Sequence, residues 1–185
     1  MKKVFAIIAM CLPLAAQADD LQERKQASAA VIKEFAGSLK AELGRAMKEG
    51  GPTQAIDACS NMAPHIAHEQ SEKTGWRVAR TSLKVRNTKN APDAWEANVL
   101  NAFEERKAKG EAVDTMSFAE VVEQDGKRVF RFMKAIPTGE ACLKCHGGEI
   151  EAPVKAKLDE LYPADKARGF KVGDIRGAFT ISQPM

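Results

Sequence analysis

The chain has 185 residues, 28 of them Lys or Arg and 25 Asp or Glu, with three His and a net charge of +3. That length is ample for one hydrophobic core and short for two. The near balance of charge excludes the polybasic surface expected of a nucleic-acid or anionic-membrane binder.

The N-terminus has the pattern of a secretory signal: Lys2 and Lys3, then the apolar run VFAIIAMCLPLAA, then AQA at Ala16–Ala18. The run is too short to span a bilayer, so residues 1–18 are read as a removed signal peptide and residues 19–185 as a single domain. Cys11 invites a lipoprotein reading, but Met10 before it is bulkier than the small residue expected there. Removal leaves 26 basic and 25 acidic residues, and three cysteines, Cys59, Cys142 and Cys145. An odd number argues against a disulfide framework in an exported chain.

Val31, Phe35, Leu39, Leu43 and Met47 recur every four residues and predict a helix over 20–49. Gly50-Gly51-Pro52 ends it and starts a second helix. There Ile56, Cys59, Met62 or Ala63, and Ile66 share one face, so Cys59 is expected to point with them towards the core. Pro64 is expected to kink or restart this helix near Ala63. GWRVARTSL reads as a strand. RNTKNAPDAWE is a loop entering a helix capped by Asn90, which buries Trp95, Val99, Leu100 and Phe103 and stops at Gly110. SFAEVVE and KRVFRFMKAI form a hairpin about Asp125-Gly126, since both turn positions tolerate positive φ. A short helix over 155–161 and a closing strand in DIRGAFTIS complete an α+β domain with a small antiparallel sheet.

EACLKCHGGE contains C-x-x-C-H at Cys142, Cys145 and His146. Two thiols at this spacing match the two vinyl groups of one haem, and the next histidine is placed to coordinate its iron. Covalent c-type haem is attached outside the cytoplasm in bacteria, so motif and export signal agree and point to the periplasm. The rival reading is structural zinc on Cys59, Cys142, Cys145 and His146, a Cys₃His set lacking a second closely spaced ligand pair. A disulfide between Cys142 and Cys145 leaves His146 unexplained.

The sixth iron ligand has several candidates: Met62, Met116, Met133, Met185, His65, His68 and Cys59. Met185 is terminal and poorly anchored. Met133 reads as strand core, and His65 and His68 as solvent-facing. Cys59 reads equally as a small buried hydrophobe and as a thiolate donor to ferric iron.

AIDACSNMAPHIA around Cys59, GWRVARTSLKVRNTKNAPDAWE, CLKCHGG and GDIRGAFTIS together resemble the exported single-haem c-type proteins with a PAS-like fold and histidine/cysteine haem ligation. The resemblance spans nearly all of residues 19–185, and the run R-T-S-L-K-x-R-N-x-x-N-x-P-D-x-W-E is its most specific part. It implies a PAS-like antiparallel sheet with N-terminal helices. One haem c would be tethered by Cys142 and Cys145, with His146 as proximal and Cys59 as distal ligand. The haem propionates need cationic partners, and Arg80, Arg86 and Arg131 are the candidates by type and position, each also readable as a surface cation.

Thiolate ligation stabilises ferric iron, so the expected reduction potential is low. The expected function is electron transfer or redox relay with an unidentified redox partner protein. The alternative is a haem-based sensor of redox state or of NO or CO that signals through a partner, since the chain has no room for an output domain. No acid–base pair in the sequence suggests an enzyme. The hairpin and flanking strands argue against a four-helix cytochrome.

Overall fold

The computed structural model describes residues 14–185. Of the segment read as an export signal, residues 1–13 lie outside the described residues, and Leu14 opens the first helix. The elements are α1 (Leu14–Thr74), β1 (Arg77–Thr81), α2 (Ala94–Ala108), β2 (Ser117–Gln124), β3 (Lys127–Pro137), α3 (Leu143–His146), α4 (Ala152–Leu161) and β4 (Ile175–Pro184).

α1 is two arms joined at Gly51, whose φ of 70° and ψ of −161° suit only glycine. The arms fold back on each other as an αα-hairpin. Near the turn Ala46 packs with Ala55 and Ala58, farther away Phe35 packs with Ile66, and Lys73 pairs with Glu34 at 2.6 Å. The small alanines let the arms approach closely at the bend. Pro64 does not restart the second arm: the helix runs through it to Thr74, and no φ/ψ outside the helical region occurs in α1 except at Gly51. A proline removes one ladder bond, and the packing of Ala63 and Ile66, both buried, keeps the helix continuous across it.

The sheet has order β1-β4-β3-β2 and every pair is antiparallel. The β2–β3 hairpin turns at Asp125 (φ 52°) and Gly126 (φ 72°), the left-handed pair expected from Asp-Gly. Alternation along the strands sends Val78, Phe130, Phe132 and Ile181 to the α1 face, where they meet Ile32, Phe35 and Ile66. Met133, Ala135 and Ala178 go to the other face and meet Val99, Leu100 and Phe103 of α2. The α+β reading therefore holds, with helices on both faces of the sheet.

α2 is capped by Asp93, not Asn90: Asp93 accepts from the Glu96 N–H at 2.8 Å, and Glu96 accepts from the Asp93 N–H at 3.2 Å. A capping box reaching three residues forward outcompetes the earlier asparagine. Asn90 instead closes a short 3₁₀ turn, Thr88–Asn90. Val99, Leu100 and Phe103 are buried as expected, whereas Trp95 is half-buried against Phe118 and under Arg131. α4 begins slightly earlier than expected and seats Val154 and Leu158 on Ile56 of the second arm, with Lys157 3.1 Å from Asp57. No helix among the described residues is long and apolar enough to cross a membrane.

Candidate functional site

The C-x-x-C-H stretch occupies a short 3₁₀ turn, Glu140–Cys142, running into α3. The Gly139 N–H donates to the Cys142 sulfur at 3.4 Å. Cys145 packs against the Ile56, Val154 and Leu158 cluster, which ties the motif to the second arm of α1. The three cysteines among the described residues, Cys59, Cys142 and Cys145, are free thiols, so Cys142 and Cys145 form no disulfide.

His146 is held on several sides by the segment leading to β4. Its Nδ1–H donates to the Ala167 carbonyl at 2.8 Å, and since a carbonyl only accepts, the tautomer is set with Nε2 bearing the lone pair. The Phe170 N–H donates to the His146 carbonyl at 3.0 Å, and the Phe170 ring meets the imidazole edge-on at 6.2 Å. Burial, then the charges of Arg176 and Arg86, push the imidazole pKa down to about 3, so it is neutral at ordinary pH. A neutral imidazole with Nδ1 anchored to a carbonyl and Nε2 presented is the form that ligates a metal.

Cys59 lies on the second arm of α1, in phase with Ile56, Ala63 and Ile66. Those three are buried, but Cys59 is exposed, which corrects the expectation that it sits in the core. Water reaches it, yet burial pushes its thiol pKa up, against the lowering influence of Arg80, Arg86 and Arg176. Both statements hold for a thiol flanked by protein on its sides and open to solvent in front. Arg80, Arg86 and Arg176 also bear on Tyr162, Cys145 or His146, so these residues lie within reach of one another's charge. Among the described residues no hydrogen bond reaches the Cys59 sulfur. The other candidate ligands fall away from it or into the core. His65 and His68 are exposed, Met116 and Met133 are fully buried under α2, and Met185 is exposed at the end of the chain. Met62 is exposed one turn beyond Cys59.

The three arginines picked from sequence have different fates. Arg80 shares the α1 face of the sheet with Val78, two residues before it, and no acceptor for its guanidinium occurs among the described residues. Arg86 is a brace: its Nη2 donates to the carbonyls of Cys145 (2.5 Å) and Ala167 (3.1 Å) and pairs with Asp165 (3.2 Å). Asp165 in turn accepts from the Ala167 N–H and from Arg168. Arg131 is separated from the others. It points to the α2 face, where it pairs with Asp93 (2.8 Å) and the buried Glu96 (3.1 Å) and lies over Trp95.

Sequence reasoning missed Arg176. At the Ile136/Pro137 register shift, Ile136 pairs with Gly177 and Pro137 with Ile175, leaving Arg176 as the extra residue of a bulge. Its Nε–H donates to Nε2 of His146 at 3.4 Å, its Nη1 to Ser82 Oγ at 3.3 Å, and its guanidinium lies 5.3 Å from the Phe170 ring centroid. No carboxylate partners it among the described residues. Burial, then Arg86 and Arg80, lower its pKa to about 10. The Asp-Ile-Arg-Gly run contained the signal, but only the strand register turns that arginine towards the histidine.

No group of three or more His, Cys, Asp or Glu placed to hold a metal ion occurs among the described residues, which removes the support for a Cys₃His zinc site. Two shallow hollows elsewhere carry none of the donor residues. One is lined by Trp95, Val99, Phe103 and Phe118, the other by Lys107, Val113, Pro137 and Gly173.

The fold and site define a small α+β module with a C-x-x-C-H loop whose histidine is fixed by the backbone and lies among arginines, and with an exposed thiol on the second arm of α1. The chain belongs to the Tll0287-like family, whose model matches residues 15–184. It is similar to the crystal structure of the cyanobacterial heme-protein Tll0287, with 26% identity and a TM-score of 0.66 over 88% of this chain and 96% of that chain. No curated protein matches it.

Proposed function

We propose that the chain is an exported, periplasmic monohaem c-type cytochrome with histidine/cysteine axial ligation, working in low-potential electron transfer or redox relay. Similarity to a heme protein supports haem binding, and the residues of the site fit that group. The observation that carries the reading is His146 itself: neutral, anchored through Nδ1 to Ala167, and directly following two free thiols at vinyl spacing. Cys142 and Cys145 would each add S–H across one vinyl group, forming a carbon–sulfur bond with the hydrogen on the neighbouring carbon and no net oxidation. His146 Nε2 would be the proximal ligand. Cys59, exposed and without a hydrogen-bonded partner, is the distal candidate, and as a thiolate it would favour ferric iron. The bound haem supplies a one-electron couple. The protein contributes covalent tethers, fixed axial donors and the positive charge of Arg80 and Arg176. The antiparallel sheet with helices carrying the thiol supports the PAS-like description as part of the same proposal.

The test is the ferric absorption spectrum of the loaded chain beside that of Cys59→Ser. A thiolate charge-transfer band in the parent that vanishes in the variant supports the reading. Identical spectra remove Cys59 as ligand.

A second reading is a sensor of redox state or of NO or CO acting through a partner protein. What favours it is asymmetry: His146 is braced by Ala167 and Phe170, while nothing among the described residues braces the Cys59 sulfur, leaving that side free to exchange. Rapid, tight CO or NO binding to the reduced protein selects this reading, and an inert six-coordinate reduced state selects the carrier.

A further inference from the structure

Two arginines of the site have no anion to answer them. Arg86 is answered by Asp165 and two carbonyls, and Arg131 by Asp93 and Glu96 on the far face of the sheet. Arg80 and Arg176 remain: Arg176 lies 3.4 Å from His146, Arg80 is half-buried on β1 opposite Phe179 of the strand that carries Arg176, and neither has a carboxylate partner among the described residues. Half-buried cations without a counter-charge are costly unless the bound state supplies one. Resting on the haem reading above, we propose that Arg80 and Arg176 form a seat for the two carboxylates of the bound tetrapyrrole.

The charge count fits: two unanswered guanidiniums face a group carrying two carboxylates. Arg176 is placed for this role by its contact with His146. Nε2 of a neutral imidazole has a single lone pair. In the structure that lone pair accepts the Arg176 Nε–H at 3.4 Å, so iron on Nε2 and Arg176 on Nε2 exclude each other. The arginine is not free to leave for bulk solvent. The bulge fixes its backbone, and a Cβ at the next residue, Gly177, would press into the Thr81 carbonyl oxygen, so β4 lies hard against the end of β1. Phe170 and Ser82 limit the swing of its side chain. A guanidinium displaced from His146 therefore stays close by, where its planar fork suits a carboxylate. Arg86 cannot share this role without releasing the Cys145 and Ala167 carbonyls that frame His146.

The experiment uses the full chain carrying its covalently attached haem, with resonance Raman bands of the propionate bending modes as the readout and the reduction potential alongside. Arg80→Gln and Arg176→Gln are each expected to shift the propionate bands and lower the potential, because a positive charge beside the haem is lost. Arg176→Lys is expected to keep the potential closer to the parent while still shifting the bands. Lys73→Gln, whose partner Glu34 is exposed like Lys73 itself and which touches none of these residues, should leave both readouts alone. Unmoved bands in both glutamine variants, with haem attached and coordination unchanged, overturn the seat while leaving the haem reading intact. A parent chain that carries no haem removes both. Should a glutamine variant be recovered without haem, Arg176→Lys and Arg80→Lys serve in its place, and unshifted bands in them count against the seat.

Discussion

Arg86→Ala separates a brace from a propionate partner. The Nη2 group makes two charge-assisted bonds to carbonyls and one ion pair with Asp165, whose side chain is 1% exposed. A hydrogen bond to a charged group contributes about 1.5–3 kcal/mol. Two effects reduce the sum. Asp165 keeps the Ala167 N–H and Arg168 as partners, and the Arg86 Nε is itself buried without an acceptor, a cost that truncation relieves. The net loss expected is about 3 kcal/mol of folding stability, read by guanidinium denaturation of the haem-loaded chain. The axial histidine should loosen as well, broadening the ferric electron paramagnetic resonance lines. A loss below about 0.5 kcal/mol together with a large drop in potential would refute this reasoning and return Arg86 to the haem carboxylates.

Other outcomes follow from the same geometry. Glu96→Ala removes the fully buried carboxylate that Arg77, Arg131 and Thr180 all address; a loss of about 3–4 kcal/mol is expected, with the haem spectrum unchanged because the network lies on the opposite face of the sheet. Gly177→Ala combines a φ of +154° with a Cβ 3.0 Å from that of Ser82; it should cost about 2–3 kcal/mol and, unlike Glu96→Ala, should alter the spectrum through Arg176. For Asp165, burial pushes the carboxyl pKa up, but hydrogen bonds from the Ala167 N–H, Arg86 and Arg168 outweigh it and hold the group below its usual value. A carboxylate depressed on folding adds stability above its unfolded pKa, about 3.9, and loses it as pH falls through the folded value. Acid titration should therefore show Asp165→Asn less stable at neutral pH and with a shallower loss below about pH 4 than the parent; parallel curves would contradict this.

The parts legible in sequence were those set by local chemistry. Gly50-Gly51-Pro52 turns α1 because a glycine must take a non-helical φ there, and Asp125-Gly126 turns the hairpin for the same kind of reason. C-x-x-C-H and the helical phase of Cys59 are likewise local. What misled was anything decided by tertiary partners. Pro64 looks like a breaker until the packing around it is known. Cys59 looks buried because its neighbours in phase are, whereas nothing packs over it. The arginines were indistinguishable by type: Arg131 finds Glu96 from 35 positions away, Arg86 finds Asp165 from 79 positions away, and Arg176 reaches His146 only through a bulge in the β3–β4 register.

The most direct measurement of the central claim is the intact mass of the chain under denaturing conditions, after expression in a bacterium that exports it and attaches c-type haem. The account predicts the polypeptide plus one haem that denaturant does not remove, and haem-free polypeptide for Cys142→Ala/Cys145→Ala. A parent chain with the bare polypeptide mass, or one whose haem is extracted by acid and solvent, would contradict it.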